Sequence, residues 1–461
     1  MKSRLIILLL IAASYGMSGC KKLSDDSSNI YKYVLPPGAT VSDAAPLCGS
    51  IKGVMLTGKT YTLGCDVYIN KGDTLIIQPG VTVNSTNGAG IIVRGSFISL
   101  GTQSQPNYLT VQGVSKNTTP GIPLAKDSAH IGLWKGIIGD TSCTNMIIKW
   151  THIDFAGAAY GNVAGPAVEQ KASTSFCILF QNPNGNFILE DSWLWGGTDD
   201  CIRVSSGKIH VFRNTFEKCG GTGGDIVNVK GGTVGTMAYN FFIGTAYNGQ
   251  KASNKGQPTG AMQTNIVMYN STFVNGGLQV IPGQRGSTIN YEEGAAGSFY
   301  NNVAVNCRVG YRVVINPVAD TLHLTYGNNY QYADSLSIAN QFFTFGPVCT
   351  RPQTTDIPAP YSYLPANYTY GASYDGTPVV QALNPQFVNY PLPSPYSPWS
   401  VSAIGSYNFR LKPNSPLIGK GNTSVTPLVV VPVDMVYGAS EVTPPGADLG
   451  CYQTNGRGNQ H

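Results

Sequence analysis

Charge is scarce in this chain of 461 residues: only 11% are Asp, Glu, Lys or Arg, against about 25% in an average domain. The formal net charge is +5, too little and too dispersed to make the basic face that nucleic-acid binding needs, so no nucleic-acid partner is expected. Histidine is rare as well, with 5 residues, and none of the ten cysteines forms a CxxC pair. Both absences argue against a structural zinc site, which needs clustered thiolate and imidazole ligands. The main long apolar run, Leu5 to Ala13, is too short to span a bilayer as a helix. No segment between Lys59 and Gly113 carries the 3.6-residue stripe of an amphipathic helix.

What is abundant is turn chemistry: Gly 55 and Pro 29, well above ordinary usage. With few charges, this points to a β-rich extracytoplasmic protein. The opening "MKSRLIILLLIAASYGMSGC" has a basic start, an apolar run and small residues, the order of a secretory signal. Its "MSGC" resembles a bacterial lipobox, which implies a signal peptide over residues 1–20, lipidation of Cys20 and a membrane anchor through acyl chains. Residues 21–45 then read as a polar tether, whose Ser24-Asp25-Asp26 resembles the acidic export signal of Bacteroidetes surface lipoproteins. The implied place is the outer membrane, facing the cell surface or the periplasm. Outside the cytoplasm, Cys48 and Cys65 are a plausible disulfide.

Residues 46–112 hold short alternating apolar runs such as Leu75-Ile76-Ile77, Val81-Thr82-Val83 and Ile91-Ile92-Val93, separated by Gly, Pro, Asn and Asp turns. Residues 113–330 repeat one plan in "EDSWLWGG", "RNTFEKCGG", "YNFFIGT", "NSTFVNGG" and "NNVAVNC". With Asp191, Asn214, Asn240, Ser271 and Asn302 taken as equivalent, the period suits one solenoid coil with loops of variable length. Stacked coils bury what no single coil can, so Trp193, Phe216, Phe242 and Phe273 are expected as an interior aromatic stack. Cys177, Cys201 and Cys219 are expected inside as small hydrophobes. Residues 331–461 read as a loop-rich region that closes the solenoid.

"DTLIIQPGVTV…GIIVRGSFISLGT" resembles the opening coils of bacterial right-handed parallel β-helices of the pectin-lyase-like superfamily. The ending, carried by Phe409, Leu411, Ser415, Pro416, Ile418, Gly421, Asp448, Gly450 and Tyr452, resembles the closing element of many such proteins. The expected fold is therefore all-β, a right-handed parallel β-helix, and the resemblance implies a polysaccharide as partner.

Within that fold "TDDCIRV" resembles the Asp-Asp-Cys-Ile corner of polygalacturonases, but Gly221-Thr222-Gly223 stands where that family has a Gly-His-Gly. "GGDIVNVKGGTVGTMAYNFF" is similar to a pectate lyase coil, with Asn228 where a second Asp is usual. The spacings Ile202 to Val227 and Val204 to Val229 place Asp200 and Asp225 one coil apart, about one strand spacing. Two carboxylates that close raise a pKa or recruit Ca²⁺. Asp200, Asp225 and Arg285 are the candidate catalytic residues, and Asp199, Lys251 and Glu292 the candidate substrate-binding ones. Asp200 and Asp225 are also the candidate Ca²⁺ ligands. Lys251 and Lys255 are read in the loop "YNGQKASNKGQ", and Glu292 and Glu293 as acids, ligands or surface ion pairs. Asp199 and Asp200 have two open roles, a capped turn or an acid/base pair. An envelope or adhesive scaffold without a groove is the competing reading of function.

Overall fold

A computed structural model of the chain describes residues 40–117, 122–161, 165, 175–221, 224–277, 288–307, 310–332, 348–351, 384–390 and 407–461. The signal, Cys20 and most of the tether lie outside these residues, as do Arg285 and most of the Pro/Tyr-rich stretch after Tyr332. Within them the structure is strand and turn, with one short 3-10 turn at Leu124–Lys126, and no helix is long and apolar enough to cross a membrane.

The strands wind into a right-handed parallel β-helix. Each coil contributes one strand to each of three parallel sheets, as in Gly207–Phe212, Thr215–Glu217 and Val227–Val229. The next coil places Thr233–Ala238, Phe241–Ile243 and Gln250–Ser253 on them, residue for residue. The first sheet has ten strands among the described residues. The second and third are joined through Thr60–Ile69, whose start pairs with Thr82–Ser85 and whose end pairs with Ile91–Val93. The third sheet continues to Val348–Arg351 against Tyr311–Val314, so coil structure outlasts the sequence rhythm that fades after Gly327.

Like side chains stack because neighbouring coils are in register at one strand spacing. Phe216, Phe242 and Phe273 form a parallel interior stack, with centroids 4.8 and 4.9 Å apart. Trp193 is not part of it: Leu194 registers with Phe216 while Trp193 registers with Thr215, so its ring points outward. Successive strand residues face opposite sides, and a one-residue offset in the repeat alignment flips the face. The same offset applies to Asp191, which aligns with Arg213, leaving Ser192 as the equivalent of Asn214.

That position makes a polar ladder at the corner between the first and second sheets. Asn240 Oδ1 accepts the Asn214 backbone N–H at 3.0 Å, and Asn302 Oδ1 accepts that of Ser271 at 2.9 Å. The residue just before each rung is left-handed, including Asp191, Arg213, Tyr239, Asn270 and Asn301. Side-chain amides thereby pair backbone groups that the corner removes from the sheets. Cys177, Cys201 and Cys219 lie buried and unoxidised inside, and Cys48–Cys65 is a disulfide.

The segment 407–461 straps the outside of the coils. Phe409 and Tyr452 pack on Phe241, and Asp448 accepts the Gly419 and Thr454 backbone N–H groups at 2.9 and 2.8 Å. Buried ion pairs pin it further. Arg213 grips Asp191 with Nε and Nη2 at 2.7 and 2.8 Å and donates to Thr443 at 2.7 Å. Glu190 accepts the Ser440 N–H and meets His210 Nε2 at 2.9 Å.

Candidate functional site

The third sheet carries a row of registered polar residues on its outward face. Arg203 registers with Asn228, Asn228 with Lys251, Lys251 with Asn290 and Asn290 with Arg312. Cations thus occupy alternate coils, roughly 10 Å apart at one strand spacing per coil. Leu179 precedes Arg203 in this row, so the row changes from apolar to polar at Arg203.

Asp200 and Asp225 sit at the turn just before their strands and meet one coil apart. Gly224 makes this possible: a Cβ there would lie 1.9 Å from the Asp199 carbonyl carbon, so only glycine lets the two turns nest. The Asp225 N–H then donates to Asp200 Oδ1 at 2.8 Å. Arg203 donates to Asp200 Oδ2 from Nε at 2.7 Å. Asn228 Nδ2 bridges both acids, at 3.0 Å to Asp200 and 3.1 Å to Asp225, and Asn248 Nδ2 donates to Asp225 Oδ1 at 2.7 Å. Lys251 Nζ lies 3.1 Å from Asp225 and 2.8 Å from Glu292, whose other oxygen accepts from Asn290 at 3.0 Å.

Asp200, Asp225 and Glu292 are thus held by the two cations Arg203 and Lys251. Burial, with the neighbouring Asp225 and Asp199 carboxylates, pushes the Asp200 carboxyl up to about 6, while the Arg203 guanidinium pulls the other way. Asn228, Asn248 and Asn290 are buried, and the Oδ1 of each lacks a hydrogen-bond partner among the described residues. Buried acceptors left open are costly.

The structure brings Asp200, Asp225, Lys251 and Glu292 into one network. Asp199 is half-buried at the turn. Lys251 is not in a loop: it is buried on the strand Gln250–Ser253, because Gln250 and Ala252 continue the inward pattern of Val227 and Val229. Glu292 is likewise buried rather than a surface ion pair, whereas Glu293 turns left-handed and pairs with Ser253 and exposed Lys255. Arg285 lies outside the described residues. Sequence reasoning missed Arg203, Asn228 as a bridge, Asn248, Asn290 and Arg312, although a lone polar residue between apolar ones recurs in "IRV", "VNV" and "YRV". It also missed His130, which packs against Gly221 and contacts the Gly197 carbonyl at 3.3 Å; a contact 67 residues away leaves no local signal.

Oxygen donors for Ca²⁺ exist here, but Arg203 and Lys251 already neutralise the two carboxylates. Among the described residues no group of three or more His, Cys, Asp or Glu converges on a metal position. A dication seeking six to eight oxygens fits this row poorly.

The fold and the row define a right-handed parallel β-helix with a buried polar ladder on one sheet. No protein-family model and no curated protein matches the chain. Among solved structures it is similar to the Dettilon tailspike protein (gp208), at 10% identity and a TM-score of 0.32, covering 66% of this chain and 53% of that one. The chain thus spans about half the length of that tailspike.

Proposed function

We propose that this chain is a polysaccharide-binding lipoprotein, held in the outer membrane through Cys20, whose third-sheet row receives an acidic glycan. One observation carries the reading: Arg203, Lys251 and Arg312 recur on alternate coils with open amide oxygens between them. Guanidinium and ammonium groups suit glycan carboxylates, and the amide oxygens suit hydroxyls. Such a ladder presents the same chemistry again and again along one axis, as a polymeric ligand does.

Cleavage is a further step of the same proposal. In this reading Asp200, ionised above about 6, takes the C5 proton of a uronate. The C4–O bond then breaks, the departing oxygen takes up a proton, and a C4=C5 double bond is left. Arg203 and Lys251 would offset the substrate carboxylate, the work calcium does elsewhere.

The competing role, an envelope scaffold that binds nothing here, is favoured by burial: Asp200 and Glu292 are 3% exposed and Arg312 1%. The test is incubation of the mature protein with polygalacturonate and other uronic glycans, with and without Ca²⁺. Retention in affinity electrophoresis that weakens at least tenfold in Lys251→Ala supports binding. An absorbance rise near ~235 nm marks elimination. No retention of any uronic glycan defeats the proposal in favour of the scaffold.

A further inference from the structure

The outward face of the second sheet carries a different row. Tyr108, His152 and Trp193 register on successive coils and stack, with ring centroids 4.7 and 5.5 Å apart. Because the rings face one another, it is their rims that point outward, carrying a phenol hydroxyl and imidazole nitrogens, while the Trp193 indole N–H is shielded. Tyr108 is 39% exposed, and His152 and Trp193 are half-buried.

Two further side chains approach the row. On one side, Lys116 lies 5.3 Å over the Trp193 ring while pairing with Asp154 at 2.8 Å. On the other, His461 stands edge-on to Trp193 at 5.6 Å and against Trp150 at 5.6 Å. Two polar atoms here are unmatched: Trp193 Nε1 and His461 Nε2 are shielded from solvent, yet neither has a hydrogen-bond partner among the described residues. Such orphaned groups call for an explanation, and a bound ligand is one.

The row is electrically quiet. Burial and the nearby Lys116 and His461 lower the His152 imidazole to about 3, so it is neutral at physiological pH and both donates and accepts. Burial also lowers His461, with the Asp191 carboxylate and backbone opposing. The Lys116 charge is already balanced by Asp154, and Tyr108 adds a hydroxyl. A neutral row of alternating donors and acceptors at intervals of one strand spacing suits a neutral, hydroxyl-rich chain, and offers nothing to an anion or a charged peptide.

We propose that Tyr108, His152, Trp193 and His461 form a binding surface for a neutral oligosaccharide, separate from the third-sheet row. It shares with the proposed function only the idea that the protein handles glycans, and it uses none of the residues assigned there. The test titrates the mature protein with cello-, xylo- and manno-oligosaccharides by calorimetry. At least one series is expected to bind, and His152→Ala and Trp193→Leu are each expected to weaken it at least tenfold, the scale of an interface hot spot. Trp193→Phe keeps the ring and removes the N–H; a loss of about fivefold at unchanged melting temperature is expected from one hydrogen bond. Absence of binding to all three series, or wild-type affinity in His152→Ala and Trp193→Phe, overturns the inference. Polygalacturonate retention, run in parallel, separates the two sites: its loss with neutral binding intact refutes the third-sheet proposal alone, and the converse refutes this one alone.

Discussion

Replacing Arg203 with Met would remove the cation closest to Asp200 and expose whether the third-sheet row is a closed network. Arg203 holds Asp200 from Nε at 2.7 Å, and both side chains are buried. Breaking one member of a buried pair typically costs about 3–5 kcal/mol because the other charge is stranded. The cost depends on pH in a defined direction. Native Asp200 titrates at about 6, an unfolded Asp at ~3.9, so between those values the folded protein holds the extra proton. Stability contributed by this group therefore falls as pH rises from ~4 through ~6 and is flat above, a span of about 3 kcal/mol. Removing the guanidinium, which opposes that shift, drives Asp200 higher still. Urea unfolding of wild type and Arg203→Met should show the largest difference near pH 8 and a much smaller one near pH 5. Adding Asp200→Asn to Arg203→Met should restore most of the loss at pH 8, since no charge is then stranded. A cost below about 1 kcal/mol at pH 8, or one that does not change with pH, would refute the coupling of Arg203 to Asp200.

Two further outcomes follow from packing. Phe242→Ala empties the middle of a three-ring stack between Phe216 and Phe273 and should cost about 3–5 kcal/mol in denaturant unfolding. Arg213→Met strands Asp191 beneath the outer strap and frees Thr443; a loss of about 3–5 kcal/mol and faster proteolysis within residues 428–461 are expected.

The spacing of Ile202 to Val227 was enough to put Asp200 beside Asp225, because apolar inward residues mark the register of a strand without any knowledge of its loops. The Cys48–Cys65 bridge was legible for a similar reason, as two cysteines bracket one short segment. Trp193 was misplaced because "SWLWGG" offers apolar residues at both parities and only the partner strand decides which face each takes. Lys251 reads as a loop residue because Asn, Gly and Gln surround it, while its strand is fixed by pairing with Val227–Val229 and Ile289–Glu292. Arg203, Asn248 and His130 act through neighbours a coil or more away, so their roles exist only once the coils are stacked. The strap of residues 407–461 announced itself as a closing element, but its grip through Arg213 and Glu190 could not be read from either segment alone.

The most direct measurement of the central claim is a crystal structure of the protein with a polygalacturonate oligomer. The sugar chain is expected to run along the solenoid axis on the third sheet, its carboxylates on Arg203, Lys251 and Arg312 and its hydroxyls on Asn228 and Asn290. An oligomer bound on another face, or a third-sheet row unchanged and unoccupied while the protein binds polygalacturonate in solution, would contradict it.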